Sequence, residues 1–273
     1  KLNIMLKKIP GLKVVDSKKP GPTITIIAGT HGDEICGIKA FKKVIPNIQL
    51  KKGKVYFILG NLKAIKLNKR QYQSNLNRLY KDDSLIDEKT KQSYEYKRSR
   101  EIMNYLNDSD ALLDIHSAMN KDSTPFTICE KSLINIAKVL PFKTIATGFT
   151  AMEPGGTDGY MFSKGKIGIC VECGDHVSDL SNFNAIESIY KFLNYFDMVD
   201  IPPTKIVNVY FIYKTKNNFK PIKYFKDFER IKKGSLIGYD GNQKVIAQKD
   251  GFILFVVSRN KPNKEAFLLG EFI

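Results

Sequence analysis

The first 200 residues of the chain alternate between short, uninterrupted apolar runs and longer amphipathic stretches. A run that is apolar at every position has both faces covered, as a strand of a parallel sheet does when helices pack on either side. Such runs predict strands at 23–30, 54–60, 111–115 and 166–173, with further candidates in TPFTICE and KTIAT. The alternation therefore predicts an α/β fold, a mixed, mostly parallel sheet with helices on both faces.

The stretches between these runs predict helices at about 33–44, 87–107, 131–140 and 180–198. Asp33 stands where an N-cap residue would accept backbone N–H groups, and Pro46 ends the first helix. The segment from Asn61 to Asp83 is polar, and it is predicted to be irregular.

The pattern of apolar and polar residues changes at IPPTK, residues 201–205, where two prolines mark a linker. Short alternating segments with turn signals follow it: VNVYFIY, SLIGYDGNQKVIAQ, DGFILFVV and AFLLG. This pattern predicts a small all-β domain. The expected organisation is a catalytic domain over 1–200 and a β-rich C-terminal domain over 201–273.

Four polar side chains stand at the ends of the predicted strands. His31 and Glu34 follow the first strand, His116 follows a middle strand, and Glu172 lies in the last one. Ligands of open α/β sheets bind at the carboxyl ends of the strands. Two imidazoles and one carboxylate form a catalytic zinc set with a position left open, and a second carboxylate can act as the base. The pattern predicts one zinc ion per chain, held by His31, Glu34 and His116, with Glu172 as base.

Taken singly, three of these side chains also have simpler interpretations. His31 reads as a turn histidine, Glu34 as a solvated acid in a first helical turn, and His116 as a satisfied buried histidine. Glu172 resists such an interpretation because a carboxylate inside CVECG is costly to bury without a partner.

The segment NLKAIKLNKRQYQSNLNRLY carries Arg70, Asn77 and Arg78. Guanidinium groups grip carboxylates in a two-pronged fork, and an asparagine adds a donor. An arginine here could also stabilise the oxyanion that forms when water attacks a carbonyl. The alternative is a surface loop with routine basic residues. Downstream, the stretch GGTDGYM could form a substrate loop, with Tyr160 as a hydrogen-bond donor.

The net charge of +16 suits an anionic substrate or a nucleic acid. The lysines are scattered and no basic stretch is interleaved with aromatic residues, which favours solvated faces and no nucleic-acid partner. No apolar run is long enough for a membrane span or a secretory signal, so a cytoplasmic location without a membrane partner is expected. Cys170 and Cys173 form a C-x-x-C that reads as buried strand cysteines. The sequence leaves a homo-oligomer open.

The chain resembles the succinylglutamate desuccinylase/aspartoacylase family, relatives of the zinc carboxypeptidases. The matching pieces occur in the family's order: GTHGDEICG (29–37), the stretch ending NLNRLY, LLDIHSA (112–118) and VECG (171–174). The resemblance implies a zinc carboxypeptidase-like sheet, with His31, Glu34 and His116 as zinc ligands. It also implies that Glu172 is general base and then general acid.

The resemblance further implies that Arg70 polarises the scissile carbonyl and that Asn77 and Arg78 grip the substrate carboxylate. Two departures stand out. Asn75 replaces the family's usual aspartate, and Phe162 lies near the place of an arginine found in aspartoacylases. Either Lys164 or Lys166 replaces that arginine, or the substrate lacks the second carboxylate.

Three functions are therefore compatible with the sequence. The first is a zinc-dependent deacylase acting on a small, anionic, carboxylate-bearing N-acyl amino acid. The second is a zinc metallocarboxypeptidase acting on peptides or cell-wall fragments with the same catalytic set. The third is a basic, non-enzymatic binding protein, whose affinity for DNA would fall steeply with salt.

Overall fold

The computed structural model describes residues 6–201 and 206–272. Within these residues the chain forms two compact units that divide after Ile201. Of the predicted linker 201–205, only Ile201 lies inside the described residues. No helix of the described residues is long and apolar enough to cross a membrane.

The first unit is built on a seven-stranded sheet in the order β1-β3-β2-β4-β7-β5-β6. Its strands are β1 (Leu12–Asp16), β2 (Thr23–Ala28), β3 (Lys54–Leu59), β4 (Ala111–Ala118), β5 (Phe126–Cys129), β6 (Ile145–Ala146) and β7 (Ile167–Asp175). The four central strands are parallel, whereas β1 and β5 run antiparallel to their inner neighbours. The predicted mixed, mostly parallel sheet is therefore confirmed.

Helices cover both faces of this sheet. The α-helices of this unit are α1 (Cys36–Val44), α2 (Leu62–Leu67), α3 (Glu88–Lys91), α4 (Tyr94–Asp108), α5 (Ile134–Ala137), α6 (Phe149–Met152), α7 (Thr157–Ser163) and α8 (Asp179–Tyr195). On one face, Ile26 of β2 belongs to the same buried apolar cluster as Phe41 of α1 and Phe192 of α8. On the other, Ile27 clusters with Ile102 of α4. Adjacent residues of one strand thus serve two cores, which explains the uninterrupted apolar run.

Several predicted helix boundaries differ from the structure. The predicted helix over 87–107 is two helices, because the Ser93 hydroxyl accepts the N–H of Tyr96 and starts α4 there. The segment predicted to be irregular contains α2, which begins where the Asn61 side chain accepts the N–H of Ala64. Asp33 does not cap the first helix: α1 begins at Cys36 without a side-chain cap. The residues from His31 to Glu34 form a turn instead, in which the N–H of Glu34 donates to the carbonyl oxygen of His31.

The second unit is all β, as predicted for this region. Its strands are β8 (Val207–Lys214), β9 (Phe219–Pro221), β10 (Glu229–Ile231), β11 (Leu236–Asp240), β12 (Gln243–Ile246), β13 (Gly251–Leu254) and β14 (Glu265–Phe272). They form one four-stranded and one three-stranded antiparallel sheet. Phe219, Ile237, Ile253 and Phe267 are buried in its apolar core.

Candidate active site

The strands β2, β4 and β7 are parallel neighbours, so their carboxyl ends meet at one edge of the sheet. His31 and Glu34 lie in the turn after β2. His116 lies near the end of β4, and Glu172 is its register partner on β7. Side chains at partnered positions of neighbouring strands point to the same face of the sheet, which puts Glu172 beside His116.

The turn after β2 depends on Gly32. A Cβ at this position would lie 2.1 Å from the backbone carbonyl carbon of Ala64 in α2. No side chain fits in that space, so glycine lets the turn pack directly against α2. This packing fixes the backbone between His31 and Glu34.

Glu34 lies between the two histidines. Its Oε1 is 2.7 Å from Nδ1 of His31, and its Oε2 is 2.8 Å from Nδ1 of His116. One ligand atom from each of the three residues lies within 4.8 Å of the other two. All three are buried, with exposed fractions of 3%, 2% and 4% for His31, Glu34 and His116.

The charges around this cluster favour a cation. Burial alone would raise the pKa of Glu34, but His116 and His31 hold the pKa of this carboxyl well below its usual range. Burial lowers the pKa of His116, yet the charges of Asp114 and Glu34 raise the pKa of this imidazole well above its usual range. Two buried carboxylates thus stabilise positive charge beside His116.

The outer nitrogen of each imidazole faces an oxygen. Nε2 of His116 lies 3.2 Å from Oδ2 of Asp114, a fully buried carboxylate that also accepts the hydroxyls of Thr30 and Thr157. Nε2 of His31 donates to Oδ1 of Asn75 over 3.1 Å. The hydrogen bond to Asn75 orients the ring of His31, whereas Asp114 lies beside Nε2 of His116 without a hydrogen bond to it; both Nδ1 atoms are aimed at Glu34.

The donor set of His31, Glu34 and His116 suits a divalent metal ion. Two nitrogens and a carboxylate, already gathered around one point and supported from outside, match the ligands of catalytic metal sites. Asp114, His116 and Cys170 also come within 4.8 Å of one another. The carboxylate of Asp114 is already engaged by two threonine hydroxyls, which makes this second set the poorer one.

Glu172 lies next to this cluster with one oxygen unused. Its Oε2 is buried and has no hydrogen-bond partner among the described residues. Burial raises the pKa of Glu172 to about 7, against the lowering effect of His116. A carboxyl with this pKa can take up and release a proton near neutral pH, which is what a general acid–base group needs.

A cavity of about 330 Å³ opens beside the cluster. Its lining includes Arg70, Asn77 and Arg78, so the structure gathers these predicted side chains with the metal-binding residues and Glu172. Nη1 of Arg70 lies 3.3 Å from Oε1 of Glu34. Arg78 donates through Nη1 to the backbone oxygen of Asn77 over 2.7 Å. Through Nη2 it pairs with the carboxylate of Glu153.

Glu95 holds the loop that follows Arg70. Its Oε1 accepts the N–H groups of Tyr72 and Gln73 at 2.8 and 3.0 Å and the side-chain amide of Asn61 at 3.0 Å. Glu95 is fully buried. Sequence reasoning missed it because an acid in the first turn of a helix is ordinarily a solvated group that the helix dipole favours.

The structure does not bring Tyr160 to the cavity. Its hydroxyl donates to Oδ1 of Asn107 over 2.7 Å, and its ring belongs to the apolar core under α7. Asp158, two residues earlier and nearly opposite on a short helix, lines the cavity instead. Neither Lys164 nor Lys166 is among the described side chains that line the cavity.

His176 is a lining residue that sequence reasoning missed. Its Nδ1 lies 2.9 Å from Oγ of Ser117, directly after His116. The signal was present, since His176 follows β7 immediately and is one of only three histidines in the chain.

Residues 20–193 match the family model described as the succinylglutamate desuccinylase/aspartoacylase catalytic domain. A protein named probable aspartoacylase, from Nostoc sp., is 25% identical over 87% of this chain and 90% of its own length.

Solved structures from Ruegeria pomeroyi and Rhodobacter sphaeroides are among those that share the fold. The ectoine utilization protein of Ruegeria pomeroyi, in its product-bound structure, has a TM-score of 0.61 and 18% identity, covering 95% of this chain and 88% of that protein. A succinylglutamate desuccinylase/aspartoacylase from Rhodobacter sphaeroides has a TM-score of 0.59 and 18% identity, covering 96% of this chain and 88% of its own.

Proposed function

Because this chain belongs to the succinylglutamate desuccinylase/aspartoacylase family, we propose that it is a zinc-dependent deacylase. Its substrate is a small N-acyl amino acid, or a similar small molecule, that carries a carboxylate, and the bond it hydrolyses is the amide. The observation that carries the proposal is the gathering of His31, Glu34 and His116 beside Glu172 in one cavity. A cavity of about 330 Å³ is of the size that takes small molecules, which favours this function over cleavage of a polymer.

His31, Glu34 and His116 would hold the zinc ion, with Asn75 orienting the imidazole of His31 and the carboxylate of Asp114 lying beside that of His116. When bound, zinc supplies a Lewis acid that polarises a carbonyl and makes water acidic enough to lose a proton near pH 7. Glu172, with its unpartnered oxygen, takes the proton from the attacking water and passes it to the leaving nitrogen.

Arg70 is placed to stabilise the developing oxyanion. Its guanidinium contacts Glu34 at the edge of the metal-binding cluster and is half exposed to the cavity, so it can reach the carbonyl oxygen of a bound substrate. Asn77 and Arg78 hold the substrate carboxylate and thereby orient the amide towards Glu172.

The proposal is tested by incubating the zinc-loaded protein with a panel of N-acyl amino acids that vary in acyl group and side chain. Release of the free acid and amine is measured. We expect at least one member to be hydrolysed, and its turnover to stop when a chelator removes the metal. A panel without any hydrolysed member would contradict the proposal.

Replacing Arg78 by alanine should weaken the enzyme selectively towards carboxylate substrates. For a cleaved N-acyl amino acid, kcat/KM should fall at least about tenfold more than for its amidated analogue, the loss expected for one charged hydrogen-bonded contact. Steady-state kinetics on the matched pair measure this ratio. Equal losses of kcat/KM on both members would show that Arg78 does not bind the substrate carboxylate.

Replacing Glu153 by glutamine should strengthen the binding of carboxylate substrates, the opposite of the effect of Arg78→Ala. Glu153 now pairs with the Arg78 guanidinium, so an incoming carboxylate competes with it. Freeing Arg78 should lower KM about two- to fivefold, since exposed ion pairs are weak. Glu88→Gln is the matched control, because it breaks an exposed pair with Lys91 elsewhere. If KM stays unchanged or rises in Glu153→Gln, the two carboxylates do not compete.

A further inference from the structure

Asp158 lies in the first turn of α7 and lines the cavity. Its position is fixed by the backbone: a Cβ on Gly168 of β7 would lie 2.4 Å from the carbonyl oxygen of Asp158. Only a glycine allows α7 to approach the strand so closely. The main chain at Asp158 is therefore held against β7, and its side chain lies at the wall of the cavity.

The carboxylate of Asp158 makes no ion pair within the described part of the chain. Among the described residues, no lysine, arginine or histidine nitrogen lies within 4.0 Å of its oxygens. Burial raises the pKa of Asp158; the backbone N–H of Gly159 opposes this rise, and the charge of Asp114 adds to it. A carboxylate that is largely withdrawn from water gains more from a charged partner than one on the surface does.

A second acceptor faces the same space. Oδ1 of Asn77 is buried and has no hydrogen-bond partner among the described residues. A Cβ on Gly156 would lie 2.7 Å from Oδ1 of Asp158 and 3.6 Å from Oδ1 of Asn77, so both oxygens border the small gap above this glycine. Two adjacent acceptors are satisfied by a group that brings several N–H donors, such as an ammonium.

The charges of the cavity agree with this. Its lining carries four carboxylates, namely those of Glu34, Glu153, Asp158 and Glu172, and the two guanidinium groups of Arg70 and Arg78. A second carboxylate on the substrate would place a like charge beside the carboxylate of Asp158, whereas an ammonium group there would be attracted to it.

We propose that Asp158, with Asn77, selects substrates that carry a free ammonium group, so that the preferred substrates are N-acyl derivatives of basic amino acids. This proposal rests on the deacylase function and specifies its substrate class. Asp158 is a specificity residue in this account and takes no part in the proton transfers.

The test compares three Nα-acyl amino acids that share an acyl group which the zinc-loaded enzyme cleaves. Ornithine carries the ammonium group, norleucine is its neutral isostere, and glutamate carries a second carboxylate. We expect kcat/KM to fall in that order. In Asp158→Asn, the ratio of ornithine to norleucine derivatives should drop at least about tenfold, the size of one charged hydrogen bond.

Two more variants sharpen this test. Gly156→Ala brings a methyl group against Asp158, so it should lower the same ratio without removing the carboxylate. Asp200→Asn removes an exposed carboxylate that pairs with Lys51, and its ratio should equal that of the wild type. Calorimetric binding of free ornithine and norleucine to the zinc-loaded proteins gives the same comparison without turnover, and thermal melting checks each variant's fold.

A preference for the glutamate derivative, or a ratio that Asp158→Asn leaves unchanged, would overturn the proposal while the deacylase function stands. If the wild type cleaves no N-acyl amino acid of any charge, the deacylase function itself fails, and this proposal fails with it.

Discussion

Glu172→Gln should keep its metal and lose most of its turnover. The glutamine has almost the same shape but cannot accept the proton of the attacking water, so kcat should fall by more than about a hundredfold. Glu172 is not one of the three gathered ligands, and the amide can fill the same space on β7. We therefore expect metal content and melting temperature close to those of the wild type. Steady-state kinetics and elemental analysis of the same preparation measure kcat and metal content, and a melting curve gives the melting temperature.

A Glu172→Gln variant that hydrolyses substrate at the normal rate would show that Glu172 is not the base. A variant that is inactive because it has lost its metal would give the residue a different role, as a ligand. Measuring metal on the same sample separates these outcomes.

Glu34→Gln should have the larger effect, and by a different route. Its two oxygens contact Nδ1 of both histidines, so the change removes the only charged ligand of the gathered set. Loss of residues that merely support metal ligands costs about 10- to 100-fold in affinity, so loss of a ligand should cost at least about a hundredfold. The purified variant should carry little metal and show no measurable turnover at low zinc concentration.

The two Glu→Gln variants form a matched pair within one cavity. We expect Glu172→Gln to keep the metal and Glu34→Gln to lose it. If Glu34→Gln binds zinc as tightly as the wild type, then Glu34 is not a ligand, whatever its activity. Melting curves of both variants show whether the buried amide has destabilised the fold, which would also lower metal content and turnover.

The meeting of His31, Glu34, His116 and Glu172 could be predicted from the sequence for a physical reason. Strands buried on both faces show as apolar runs, and parallel neighbours bring their carboxyl ends to one edge. Any polar residue directly after such a run is thereby placed near the others. The register of β4 with β7, which pairs His116 with Glu172, adds what sequence alone could not supply.

Features that depend on the path of a loop could not be predicted. Asp33 does not cap a helix, but the residues around it in the sequence are the same kind that precede a capping acid. The turn at Gly32 is fixed by contact with α2, which is distant in the sequence. In the same way, the short helix α7 turns Tyr160 into the core and Asp158 towards the cavity. A glycine-rich segment does not reveal which of its side chains faces inwards.

The resemblance was informative where the chain departs from the family. Asn75 replaces the usual aspartate, yet its side-chain oxygen still accepts Nε2–H of His31, so the orienting contact is kept without the charge. The missing arginine near Phe162 is not replaced by Lys164 or Lys166 in the described lining of the cavity, whereas Asp158 is present there. The sequence alone did not show that an acidic side chain, and neither of these lysines, lines the cavity.

The metal content of the purified protein tests the central claim most directly. Elemental analysis of the wild type, after dialysis against zinc and removal of the excess, should give about one zinc ion per chain. Treatment with a chelator should remove both metal and turnover, and added zinc should restore both. A chain that takes up no divalent metal under these conditions, or that hydrolyses its substrate fully after the metal is gone, would contradict the account.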